Sequence, residues 1–281
     1  MHNSGRGQLE QRLRACSPER AAFIPFITEG DPDFATSVKI ALMLARYADA
    51  IEIGIPYSDP LADGPVIQEA SLRALQGGMT MSRAFDLMRA VREHSEVPLI
   101  AFTYANPVIQ AGPAAFVRAC RESGVSGMIV PDLPFEESDE LLAAADKDGV
   151  ALIPLLALTS RERIAKIAGR AQGFAYCVSS LGVTGERSNF SDQLRSFVET
   201  VQRYATVPTA VGFGVSTADH VRELAAYADG VVVGSAIVRM CGAMQPAVLS
   251  GDEAVLQEKM DELERFCAGL AHAAVREGAV S

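Results

Sequence analysis

The stretch IEIGIPYSDPLADGP, Ile51 to Pro65, changes character part-way along. Ile51, Ile53 and Ile55 alternate with Glu52 and Gly54, a period of two that belongs to a strand. The isoleucines take one face and Glu52 takes the other. Pro56, Asp59, Pro60, Asp63, Gly64 and Pro65 then build a turn-rich loop carrying two more carboxylates. If the strand is buried on both faces, a carboxylate lies inside a core, where an unpaired charge is costly.

Working outward, short runs rich in β-branched residues recur along the whole chain. They lie at 21–28, 50–54, 98–104, 126–132, 150–156, 173–180, 207–214 and 229–236, with helical patterns between them. Two of those patterns, FVRACRESG and DELLAAADKDG, end at glycine, the residue that best accepts a left-handed helix cap. Eight strand–helix units in this length are the count of a (β/α)8 barrel; a doubly wound open sheet would more often use fewer strands. No linker divides the 281 residues, so one barrel domain over 1–281 is predicted, with the pattern at 253–277 closing its outer ring. Glycines, prolines and carboxylates gather just after the strands, at the mouth where barrel enzymes do their chemistry. Glu52 then points inward just below that mouth.

A net charge of −10 argues against a nucleic-acid-binding surface. Phosphate remains a fitting ligand, because backbone amides bind it without net positive charge. Five widely spaced cysteines, with no CxxC pair, read as free thiols in a reducing compartment. The stretch MHNSGRGQLEQRLRAC lacks the apolar core of a signal peptide, and no apolar run reaches membrane-spanning length. A cytoplasmic location is expected. His2, His94, His220 and His272 fall outside every motif, and no cluster has metal-ligand spacing.

VGFGVS follows the seventh strand and VVGSAIV the eighth. Gly212 and Gly214 let backbone approach a ligand, and Gly234 and Ser235 open a short helix whose first amides have no internal acceptor. Loops after these two strands form the phosphate cradle common in such barrels; the plainer alternative is that the glycines only make tight turns. SSLGVTGERSNFS, 179–191, has too little apolar periodicity for a packed element and reads as a lid, with Gly185 able to add an amide.

FIPFITEGDPD, EIGIPYSDPLADGP, TYANPV, VPDLPFEES, SSLGVTGERS, GFGVST and GSAIV occur in an order and spacing that resembles the tryptophan synthase alpha subunit over nearly the whole chain. The resemblance implies a barrel that cleaves indole-3-glycerol phosphate to indole and glyceraldehyde 3-phosphate. It also implies a beta subunit, in an alpha2-beta2 tetramer, whose pyridoxal phosphate joins indole to serine; this chain itself needs no cofactor. It assigns catalysis to Glu52 and Asp63, with Asp63 at the indole nitrogen. Phe26, Phe102, Tyr176 and Phe213 are assigned to the indole, Thr184 to a lid contact with Asp63, and Gly185, Gly214, Gly234 and Ser235 to the phosphate. Phe174, Leu158 and Phe135 depart from the family pattern, the last two on loop surface that would meet a partner.

The proposed chemistry fits two carboxylates in unlike surroundings. An inward-facing Glu52 is held neutral by desolvation, and Asp63, in a polar loop, stays ionised. Glu52 could instead be a paired structural carboxylate, Asp59 a turn or an interface residue, and Asn106 and Asp132 supports for loop backbone. Other functional readings are a sugar-phosphate isomerase, a stand-alone indole-releasing lyase and a non-catalytic activator of a beta subunit.

Overall fold

Alternation along the strands sorts their side chains onto two faces, and both faces are buried. The computed structural model describes residues 5–159, 161–178, 187–212 and 214–276. The strands are β1 (Ala22–Thr28), β2 (Ile51–Gly54), β3 (Leu99–Phe102), β4 (Val125–Ile129), β5 (Ala151–Leu152), β6 (Leu155–Leu156), β7 (Ala175–Val178), β8 (Thr209–Gly212) and β9 (Gly230–Val233). All sheet pairings are parallel, in the order β5-β4-β3-β2-β1-β9-β8-β7-β6. The two ends of that order, β5 and β6, are neighbours in the chain, which brings the curled sheet round to a barrel.

The strand expected at 150–156 is therefore split. Its first half pairs with β4 and its second with β7. At the break, the Ile153 amide donates to the Met128 carbonyl at 2.9 Å, and the Pro154 carbonyl accepts from the Tyr176 amide at 3.1 Å. Pro154 has no N–H to carry a continuous ladder through the step. The seventh and eighth expected strands are β8 and β9.

Ala22, Ile24 and Phe26 of β1 face into the barrel with Ile100, Phe102, Ile129, Tyr176, Ala210 and Val232. Phe23, Ile27, Ile51, Ile53, Leu99 and Ala101 face outward into the layer beneath the helices. The isoleucines of the opening stretch thus pack on helices, and Glu52 is left inside, between Phe26 of β1 and Ile100 of β3 in register.

Helix Gly5–Cys16, absent from the sequence expectations, spans the opposite mouth. Leu9, Leu13 and Cys16 recur at helical spacing and are buried among the interior side chains. At Gly127 and Gly173 an added Cβ would lie 3.2 and 3.0 Å from the Leu9 side chain, so glycine at both positions makes room for this plug.

Outside the barrel, helix Pro65–Gln76 follows β2, and beyond it lie a 3-10 turn, Met81–Arg83, and helix Asp86–Arg92. Helix Arg187–Tyr204 begins within the stretch 179–191, whose sequence had read as loop throughout. The last helix, Glu253–Ala273, packs against helices Phe34–Leu44 and Ala218–Ala225 and closes the outer ring as expected. All five cysteines are free and buried. Among the described residues no helix is long and apolar enough to cross a membrane.

Candidate active site

Glu52 reaches a cavity of about 140 Å³ at the C-terminal mouth. One end is lined by Glu52, Asp63, Phe26, Phe102 and Tyr176, and the other by Gly214, Gly234 and Ser235. Residues from β1, β2, β3 and β7, and from the loops after β2, β8 and β9, therefore meet in one place. Thr184, Gly185 and Phe213 lie outside the described residues.

Two glycines shape the aromatic end. A Cβ at Gly54 would come within 2.6 Å of the Phe26 ring, and one at Gly212 within 2.4 Å of the Tyr176 hydroxyl. Gly212 thus makes way for Tyr176 and does not line the cavity. Phe26 and Phe102 meet edge to face, with ring centroids 5.7 Å apart. Both rings line the cavity together with Glu52.

Glu52 is 2% exposed, and its Oε2 has no hydrogen-bond partner among the described residues. Among the described residues no cation or amide is paired with it, so the structural pairing considered from sequence is not seen among them. Burial, with the charge of Asp63 as the second cause, pushes its carboxyl up to about 8. Tyr176 is held well above its ordinary range by the same two causes, burial and then Glu52, and stays a neutral phenol.

Asp63 differs from its sequence reading. Its loop is polar, yet burial pushes the half-buried carboxyl up to about 6; a hydrogen bond from the Tyr104 hydroxyl to Oδ2, 2.8 Å, opposes that rise. At neutral pH the pair is still divided as expected, with Glu52 protonated and Asp63 mostly ionised. Tyr104 was not singled out for the site, although Ile100, Phe102 and Tyr104 continue one period-two face. Its ring stacks on Tyr57 at 5.3 Å, and the Tyr57 hydroxyl accepts from Asn106 at 3.0 Å. Asn106 thus serves a side chain where loop backbone was expected. Asp132 does support backbone, accepting from the Ala105 amide at 2.8 Å. Asp59 is exposed in the loop.

At the other end, Gly214 has φ +80°, a conformation that favours glycine. Gly234 precedes helix Ser235–Gly242, whose first amides have no intrahelical acceptor. A Cβ at Gly234 would meet Phe26 only at 3.6 Å, an ordinary contact. Protein packing therefore does not demand glycine there; the space it keeps open is cavity. Ile67 and Val232 also line the cavity and were missed, since an apolar residue facing a site reads like one facing a core. Among the described residues no group of three or more His, Cys, Asp or Glu side chains could hold a metal ion.

The family model for the tryptophan synthase alpha chain matches residues 13–271. The chain belongs to the tryptophan synthase alpha chain family. The alpha chain of Shouchella clausii is 48% identical over 268 residues, covering 95% of this chain and 99% of that one. A tryptophan synthase structure from Mycobacterium tuberculosis is 33% identical with a TM-score of 0.81, over 95% of this chain and 98% of the other. A structure titled as the tryptophan synthase a2b2 complex of Pyrococcus furiosus is 36% identical with a TM-score of 0.80, over 90% and 99% of the two chains. Of the departures from the family pattern, Phe174 is fully buried, Leu158 is exposed, and Phe135 lies beneath the Arg170 guanidinium, 5.0 Å from its ring centre.

The elevation of Glu52 has a measurable consequence for stability. Its carboxyl loses a proton near 4.5 in the unfolded chain and near 8 in the folded one. Between those values the folded state holds more protons, so this group's contribution to stability is full below about pH 4.5 and is lost as pH rises through about 8. Glu52→Gln removes that loss. In urea unfolding the variant should gain on wild type as pH rises from 5 to 9, by up to about 4 kcal/mol. A difference independent of pH would contradict the assignment.

Proposed function

We propose that this chain cleaves indole-3-glycerol phosphate to indole and glyceraldehyde 3-phosphate, with Glu52 as proton shuttle and Asp63 as the counter-charge. The observation that carries the reading is the pairing, in one cavity, of a protonated buried carboxyl with a second, ionised one, opposite a helix amino terminus and a glycine-lined space. Family membership supports the reaction, and the meeting of these residues in one cavity supports the roles that the resemblance implies.

Indole C3 is a poor leaving carbanion. Glu52, protonated near neutral pH, delivers a proton to C3 and converts the ring to an indoleninium cation. Asp63 stabilises the positive charge at the ring nitrogen; Tyr104 holds one carboxylate oxygen and leaves the other for the N–H. The Glu52 carboxylate then takes the proton of the side-chain hydroxyl next to C3. As that oxygen becomes a carbonyl, the carbon–carbon bond breaks, its electrons return to the ring, and indole leaves with Glu52 protonated again. Phe26, Phe102 and Tyr176 pack around the indole. Gly214, Gly234 and Ser235 receive the phosphate on backbone amides and the helix amino terminus. The family resemblance adds Gly185 to the phosphate, Phe213 to the indole and Thr184 to a lid contact. A sugar-phosphate isomerase would use the cradle but gives no part to Asp63 and the aromatic wall.

The same reading makes 1–281 one barrel domain, places it in the cytoplasm and gives it a beta subunit in an alpha2-beta2 tetramer. Pyridoxal phosphate belongs to that partner and takes no part in the lyase steps here.

The two carboxyls predict a bell-shaped dependence of kcat/KM on pH, with limbs near 6 and 8 that belong to the coupled pair. Tyr104→Phe removes the hydrogen bond that lowers Asp63, so the acid limb should move to higher pH; an unmoved limb would exclude Asp63 as its source. At the phosphate end, Gly234→Asp places a charge in the cradle without crowding Phe26. Calorimetry should show at least tenfold weaker binding of glyceraldehyde 3-phosphate, a loss of about 1.4 kcal/mol or more, and unchanged affinity in the folded variant would remove the cradle from the account.

A further inference from the structure

We propose that Arg73 is a positioning residue that sets the distance between the two ends of the site. This rests on the lyase reading above, since it assigns catalysis to one end and phosphate to the other. Helix Pro65–Gln76 starts immediately after Asp63 and Gly64, and helix Ser235–Gly242 starts at the phosphate end. The two helices pack against each other and against β1. Arg73 lies eight residues into the first, ~12 Å along its axis, and Gly242 seven residues into the second, ~10 Å along. The heads of both helices therefore form the site, and their far parts meet at Arg73.

The guanidinium is fixed from two sides there. Arg73 Nε donates to Asp31 Oδ1 at 2.7 Å and Nη2 to Asp31 Oδ2 at 3.0 Å, a two-point fork that fixes direction as well as distance. Asp31 sits in the loop after β1, its side chain 1% exposed against 17% for Arg73. On the other side, a Cβ at Gly242 would fall 2.5 Å from Nη2 and 2.9 Å from Cζ. Gly242 leaves the space that the guanidinium fills. One side chain thus joins the loop after β1, the helix that carries the Asp63 loop and the helix that opens the cradle. A buried ion pair adds little net stability over an apolar replacement of similar volume. What this one supplies is registry: the fork ties helix Pro65–Gln76 to the loop after β1, and helix Ser235–Gly242 seats against the guanidinium so held, in the space at Gly242.

Two variants of the full chain test it. Arg73→Met combined with Asp31→Asn removes the pair without leaving a buried charge. Gly242→Ala keeps both charged groups but pushes the guanidinium off its seat; by helix propensity alone it should stabilise the fold. Thermal unfolding, indole release from indole-3-glycerol phosphate and calorimetry with glyceraldehyde 3-phosphate are measured on both and on wild type. Both variants are expected to fold, with KM and the product Kd raised about fivefold or more and kcat reduced by less. A lowered unfolding midpoint with wild-type KM and Kd would show a purely structural pair and overturn the proposal. Wild-type values throughout would do the same. Absence of indole release and of product binding in wild type would instead overturn the lyase reading, and this proposal with it.

Discussion

A carboxyl group inside a barrel wall, with no cation or amide paired with it among the described residues, holds its proton near neutral pH. Glu52 is in that position because the period of its strand leaves no other face for it once Ile51 and Ile53 pack outward under the helices. The aromatic wall of Phe26 and Phe102 and the phenol of Tyr176 are themselves buried and line the cavity with Glu52. Gly54 and Gly212 keep the room for those rings. The proton that Glu52 retains is the one the proposed reaction moves, so folding and chemistry draw on the same desolvation.

The division of labour in the cavity follows from what surrounds each end. Asp63 feels burial too, but the Tyr104 hydroxyl holds its carboxyl at about 6, below Glu52. Two carboxyls so close, both ionised, would repel one another. Holding one neutral lets the other keep its charge where a cation develops. At the far end no side-chain charge is needed, since backbone amides and a helix amino terminus suit an anion. That economy agrees with a chain of net charge −10.

Much of this was legible in the sequence, and the exceptions have physical causes. The staves of the barrel were readable because each is a short β-branched run bounded by glycine or proline. The split of the fifth was not, because Pro154 in VALIPLL reads as part of one apolar run while its missing N–H forces a step. The plug at Gly5–Cys16 was hidden because a short helix with three buried residues has a weak periodic signal. Glu52 stood out because a charge alternated with isoleucines. Asp63 was singled out in its loop, but its burial was not foreseen, because loop composition says nothing of how a loop folds back over a mouth. Tyr104 has the same cause: its role depends on a loop 41 residues away in the chain. The roles of Thr184 and Phe213 rest on family resemblance alone, and that of Gly185 on the resemblance together with the reading of 179–191 as a loop.

The central claim is that Glu52 carries the proton, and the most direct measurement is indole release from saturating indole-3-glycerol phosphate by Glu52→Gln. Affinity for glyceraldehyde 3-phosphate is measured on the same protein to show that the site is intact. Glutamine keeps the shape and loses the exchangeable acid, so kcat should fall by about 100-fold or more while the product affinity stays near wild type. A folded variant that binds product normally and retains more than about a tenth of the wild-type kcat would contradict the account, because a lost acid–base group should cost more than that.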